Sequence, residues 1–300
     1  MKTNKREDNS LTKTTKKRII LIVLCAAVLA LAVFSAYFIR YQFWRIYGFF
    51  DGFGKGETGL LCETDIGGEE LESLDISELE VSDKIIYTNV LWLVNTAHPL
   101  SEEDVPAVAT VDEKNSVSTY ALYDLGRLFA EVKSRLGKDL LMTSTYRTRE
   151  YQAQVYENNP YAAPAGASEH ETGLAVDVKV EGYPQKRFIN SEVGRWVAKN
   201  SYKFGFIIRY PMWGEKLTGI EYEPWHLRYV GAPHAEIIYR SKITLEEYSS
   251  LYEDGKFYTY GDFIVSYQSG KEGKIYIPKT DGSIYASPDN AGGYYIWAEK

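Results

Sequence analysis

The longest feature in the polarity pattern is an apolar run from Ile19 to Ile39, broken only by the hydroxyls of Ser35 and Tyr37 and closed by Arg18 and Arg40. As a helix rising 1.5 Å per residue it covers about 30 Å, the thickness of bilayer hydrocarbon. A cleavable leader would be shorter and followed by a small-x-small site. Here Ala30 and Ala32 lie mid-run, so the pattern predicts an uncleaved anchor. Residues 40–85 then mix aromatics, glycines and acids without a lasting period, which predicts a stalk, partly ordered at best.

Periodicity returns at Tyr120. Leu125, Leu128, Phe129, Val132 and Leu136 recur at three and four residues and stop at Gly137, the mark of an amphipathic helix. Strands are expected at Leu140 to Thr145, Leu174 to Val180, Phe206 to Tyr210 and Trp225 to Val230, and helices at Arg149 to Tyr156 and Ser191 to Lys199. The alternation is irregular and has too few long crossovers for a doubly wound sheet, so the fold class is α+β. After Arg240 the pattern changes to a short helix over Thr244 to Tyr252, capped by Thr244. Tyrosine-rich strands follow at Phe257 to Tyr267, Lys274 to Ile277 and Tyr294 to Trp297. The expected division is a cytoplasmic tail (1–18), a transmembrane anchor (19–39), a stalk (40–85), a catalytic domain (86–240) and a small β-rich appendage (241–300).

Charge orients the anchor. Lys2, Lys5, Arg6, Lys13, Lys16, Lys17 and Arg18 outnumber Glu7 and Asp8, which predicts that this end stays cytoplasmic and the rest lies outside. The whole chain carries −7 despite that basic end, so the remainder is strongly acidic. This excludes nucleic acid and charge-driven adhesion to an anionic wall. Of the two cysteines, Cys25 lies in the apolar run and Cys62 after it, too few and too unlike in setting for a disulfide framework or a thiolate metal site. Leu24 before Cys25 argues against lipidation.

Four histidines remain as candidates for chemistry: His98, His170, His226 and His234. His98, beside a proline, and His234, at a predicted helix start, are read as structural. His170 leads into Glu-Thr-Gly173-Leu-Ala-Val-Asp177, and His226 closes Glu223-Pro-Trp-His226. A hydrolytic zinc ion needs about three nitrogen or carboxylate ligands and an open position for water, and His170, Asp177 and His226 would supply that set. Asp177 sits in an apolar strand, where a carboxylate is costly without a cation. Glu223, three residues from a ligand, is the candidate general base. Glu169 and Glu171 are fallbacks, better suited to solvent or to supporting a ligand. Arg149 is expected to be a solvated helix charge.

The segment Ser168 to Asp177 fits S-x-H-x-x-G-x-A-x-D, and in this it resembles the VanY-type D-alanyl-D-alanine carboxypeptidases, grouped with lysostaphin-like and hedgehog-like zinc peptidases. Leu93-Val94-Asn95 with His98-Pro99-Leu100, Ser144-Thr-Tyr146-Arg147 with Tyr151-Gln152, and Glu223 to Val230 extend the likeness. The resemblance implies a small mixed domain with an antiparallel sheet and flanking helices, one Zn2+ per chain on His170, Asp177 and His226, and Glu223 as base. It further implies that Arg147 meets the substrate carboxylate or oxyanion, with Ser168 and Gln152 near it in the substrate pocket. The implied partner is a peptidoglycan stem peptide or its precursor, cut outside a membrane spanned once. The alternatives are an L,D-carboxypeptidase on tetrapeptide stems and an inactive wall-binding module. For the tail, sugar stacking by tyrosines competes with a packed cap on the catalytic domain.

Overall fold

The apolar run lies in one long helix, α1 (Lys13–Gly52), which continues well past Ile39 and is long and apolar enough to cross a membrane by length and composition. The computed structural model describes residues 13–159 and 161–300. The charges ahead of Lys13 that bear on orientation lie outside them.

Three short strands follow, β1 (Cys62–Thr64), β2 (Leu71–Asp75) and β3 (Ile86–Tyr87), and then a ribbon of β4 (Val108–Thr110) and β5 (Ser116–Ser118). The predicted amphipathic helix is α2 (Thr119–Leu136). Ser118 caps its first turn, Gly137 ends it at φ 64°, and it buries Ala121, Leu125, Leu128 and Val132. Next come β6 (Leu141–Ser144), α3 (Arg149–Asn158), β7 (Ala175–Lys179), α4 (Glu192–Asn200), β8 (Phe206–Ile208), α5 (Glu215–Thr218), β9 (His226–Tyr229) and α6 (His234–Ser241). The tail supplies β10 (Phe257–Tyr260), β11 (Phe263–Gln268), β12 (Lys274–Pro278), β13 (Ile284–Pro288) and β14 (Tyr294–Glu299).

The sheet of the domain expected to be catalytic runs β6-β7-β9-β8, antiparallel throughout, as the α+β reading expects. A second, six-stranded sheet runs β1-β10-β11-β14-β13-β3. Phe257 to Tyr267, read as one strand, is a hairpin of β10 and β11 turning at Gly261, where φ is 55°.

Two expectations about domains are corrected. Residues 40–85 are no stalk: α1 packs its far end on the domain, β1 edges the tail's sheet, and β2 pairs with β12. The signal was missed because the two strands there are three and five residues long, too short for a period to show, and draw their stability from partners about 200 residues away. The tail, named as an appendage, packs as the cap that was its other reading. One core runs from Val176 and Leu227 in the catalytic sheet to Tyr248, Tyr258, Val265, Tyr295 and Trp297 in the tail. Many of its tyrosines thus face inward, as in the cap reading. His234 is fully buried among them, its Nδ1 2.7 Å from the Tyr248 hydroxyl, which fits the structural role expected of it.

Candidate metal centre

Strand register builds most of the site. Asp177 on β7 lies opposite His226 on β9 and Ser144 on β6, so these three side chains leave the same face of the sheet. His170 comes from the 3-10 turn Glu169–Thr172 just before β7. Gly173 ends that turn at φ 68°, and a Cβ there would lie 2.9 Å from both the Ser118 nitrogen and Val108 Cγ1. Backbone conformation and space both require glycine, which explains the glycine in the motif.

His170, Asp177 and His226 converge as their spacing suggested, offering ligand atoms all within 4.8 Å of one another. His170 Nε2 is 3.4 Å from Asp177 Oδ2, and His226 Nδ1 is 2.9 Å from Asp177 Oδ1. His170 Nδ1 donates to the Thr145 carbonyl at 2.8 Å, which fixes the tautomer and leaves Nε2 free to ligate. Asp177 Oδ1 is buried and, although His226 Nδ1 stands 2.9 Å away, receives no well-aligned hydrogen bond among the described residues. Two imidazoles and a carboxylate with an orphaned buried oxygen form a donor set suited to zinc. Burial keeps His170 below its ordinary pKa, and so neutral, as a ligand must be. Burial opposes charge on His226 too, but Asp177 and Glu169 override it and raise the imidazole to about 10. That negative field also favours a bound cation.

Glu223 reaches the site through a tight turn. The His226 nitrogen donates to the Glu223 carbonyl at 3.0 Å, and the Glu223 carboxylate lies 3.8 Å from His226 Nδ1. Burial, with Asp177 adding to it, pushes its carboxyl up to about 7. Arg147 is held by two neighbours. Its Nε and Nη2 donate to Ser144 Oγ at 3.0 and 2.7 Å, its Nη1 donates to Gln152 Oε1 at 3.0 Å, and Nη2 stays 3.9 Å from Asp177. Gln152 is fully buried and donates to the Ala163 carbonyl at 2.6 Å, so it anchors Arg147 rather than lying exposed on its helix. Ser168 is buried at the start of the 3-10 turn, and its hydroxyl caps nothing.

The fallback acids prove structural. Glu171 accepts from the Gly166 nitrogen at 2.7 Å and pairs with Arg149 at 3.3 Å. Arg149 also donates to the Leu100 and Ser101 carbonyls, so it ties loops together and is no solvated charge. Glu169 is buried, with Oε1 2.6 Å from Arg209 Nε and 2.8 Å from Arg228 Nη1. Its Oε2 faces His226 Nε2 at 3.5 Å, and neither atom has a hydrogen-bond partner among the described residues. Arg209 in turn grips both oxygens of Glu246. Sequence reasoning missed Arg209, Arg228 and Glu246. The available signal was Arg228 inside an apolar strand, where a charge needs a partner.

A converging histidine, aspartate and histidine beside a raised carboxyl and a pinned arginine define the class, a single-zinc peptidase. Residues 114–232 match the family described as VanY, D-alanyl-D-alanine carboxypeptidase. The chain is 31% identical over 234 residues to a D-alanyl-D-alanine carboxypeptidase of Enterococcus faecium, covering 73% of this chain and 75% of that one. It is 32% identical to the bifunctional D-Ala-D-Ala dipeptidase and carboxypeptidase VanXYC of Enterococcus gallinarum, covering 53% of this chain and 93% of that one. Among solved structures, the vancomycin resistance D,D-dipeptidase VanXYg, bound to a D-Ala-D-Ala phosphinate analog, superposes with a TM-score of 0.66 at 25% identity over 77% of this chain and 98% of that one. The chain belongs to the VanY family of D-alanyl-D-alanine carboxypeptidases.

Proposed function

We propose that this chain is a zinc-dependent D,D-carboxypeptidase that removes the terminal D-alanine from peptidoglycan stem peptides, with His170, Asp177 and His226 as the zinc ligands. The ion, when bound, makes hydroxide available near neutral pH by lowering the pKa of its water to about 7. Glu223, close to His226 Nδ1, takes the proton from the attacking water and passes it to the leaving amine. Arg147 pairs with the free carboxylate of the terminal residue. Ser144 and Gln152 hold its planar fork in place before substrate arrives, so little order is lost on binding. Ser168, within the motif, is proposed as a further neighbour of the substrate.

The observation that carries the reading is Arg147, a guanidinium held within 3.9 Å of a candidate zinc ligand, because a metal site alone does not distinguish a chain end from its middle. Mass spectrometry of products from defined tetra- and pentapeptide stems tests it. Loss of the fifth residue alone is expected. Release of the fourth residue from tetrapeptides, with pentapeptides untouched, would make this the L,D enzyme, and no product from either would make it a wall-binding module.

The apolar part of α1 is proposed to cross the membrane once, with the N-terminus cytoplasmic and the catalytic domain outside. Protease added to intact protoplasts is then expected to digest the catalytic domain, and protection of that domain would overturn the topology.

A further inference from the structure

The part of α1 beyond Ile39 has two opposite faces. At 100° per residue, Trp44, Tyr47, Gly48 and Asp51 point one way, and this side is fastened to the domain. Asn190 Nδ2 donates to the Arg40 carbonyl at 2.8 Å, and the Trp44 and Tyr222 rings stack at 6.4 Å. Gly48 sits against Met212 so closely that a Cβ would come within 2.6 Å of its Cε, and Lys242 donates to the Asp51 carbonyl. The other side carries Ile46, Phe49 and Phe50, continued by Phe53. The three phenylalanines are 59, 66 and 67% exposed and touch one another, with ring centroids 4.6 to 6.0 Å apart. Beside them a cleft of about 610 Å³ is lined by Trp44, Arg45, Lys186 and Met212 among others.

We propose that this face of α1 is seated in the outer-leaflet interface of the membrane that the same helix crosses, so that the catalytic domain rests on the bilayer. The proposal depends on the single-pass reading. The occupant follows from continuity, because the stripe lies on the same unbroken helix as the apolar run and Ile39, 61% exposed at the end of that run, is on the same side as Ile46 one heptad later. Exposed aromatics of this kind belong at the boundary of acyl chains and headgroups, with basic residues such as Arg45 reaching the phosphates. An upright helix would lift Phe50 about 16 Å above the hydrocarbon. At a tilt of about 40°, the upper end of the usual range, its backbone comes down to about 5 Å, within reach of a ring. The domain, on the opposite face of the helix, then lies clear of the lipid.

Collision measurements on nitroxide labels test this in the full chain, reconstituted in phospholipid vesicles on a Cys25→Ala, Cys62→Ser background. Labels are placed one at a time at F49C, F50C and F53C, with V28C as the mid-span reference and Y123C, on the exposed side of α2, as the aqueous one. The ratio of oxygen to nickel-chelate accessibility at positions 49, 50 and 53 is expected to exceed that at 123 by about tenfold or more, because the polar chelate is excluded from apolar surroundings. Chelate access at 50 equal to that at 123, with 28 shielded, would sink the proposal and leave the anchor standing. Chelate access at 28 as well would remove the anchor and the proposal together. Low access to both reagents at 50 would mean that protein covers the face, a second copy or another partner, and would equally overturn it.

Discussion

The roles proposed for Glu223 and Arg147 are separable, and each has its own test. Glu223→Gln is expected to keep zinc and fold but lose at least about a hundredfold in kcat, the scale of a missing proton-transfer group. As the proposed base Glu223 would act as the carboxylate, so activity is expected to rise with pH as that group ionises. Burial sets it at about 7 in the protein alone, and a bound dication moves it lower. The ascending limb of kcat/KM should therefore lie below pH 7 and disappear in the glutamine variant, which a pH profile of both enzymes would show. For Arg147, amidating the substrate's C-terminus is expected to cost the wild type about 2–5 kcal/mol in kcat/KM, and Arg147→Ala should no longer discriminate acid from amide. Equal cleavage of both by the wild type would favour an endopeptidase.

Within single elements, the turn before β7 has the narrowest tolerance. Gly173→Ala puts a Cβ at a positive φ against Ser118 and Val108, with an expected loss of at least about 2 kcal/mol in stability. Because the same turn carries His170, zinc content by mass spectrometry should fall with it. An alanine variant with full zinc and unchanged unfolding would show that the turn is more pliable than its contacts suggest. The motif displayed His170 and Asp177 as candidate ligands because its spacing is local, though the turn that carries His170 was not read. His226 and Glu223 were legible for the same reason, being three residues apart and closing one turn. The Glu169 cluster was not, because its partners lie 40, 59 and 77 residues away in sequence and only the folded sheet brings Arg209, Arg228 and Glu246 together. Burial opposes charge on Glu169, but the two arginines hold its carboxyl well below the usual range. Its contribution to stability is thus complete above the unfolded-state value of about 4.5 and lost as pH falls from there toward the folded value. Glu169→Gln should lower stability by about 3–5 kcal/mol at neutral pH and flatten that acid slope in denaturant titrations.

For the molecule as a whole, helices and strands of the catalytic sheet were readable because each has its own period or cap, whereas the boundaries between units were not. Residues 40–85 and 241–300 looked like separate accessories because their strands are short and pair with each other across the length of the chain. The shared core predicts that a fragment of residues 86–240 will not fold, since Tyr248, Tyr258, Tyr295 and Trp297 leave with the tail. Far- and near-ultraviolet dichroism would decide this, and a soluble, active fragment would show the units to be separable.

The stacking of Trp44 on Tyr222, one residue before the proposed base, means that, if α1 is the anchor proposed, release from the cell would not be a neutral event. A protease cutting just beyond Gly52 would leave α1 behind and strip cover from Tyr222, Met212 and Trp213. A shed form starting at Gly54 should therefore be a poorer catalyst than one starting at Gln42, by about tenfold in kcat/KM at equal zinc content, as the turn bearing Glu223 loosens. The far end of α1 would then be a part of the catalyst as well as a tether, and where the chain is cut would decide how much activity is carried into the medium.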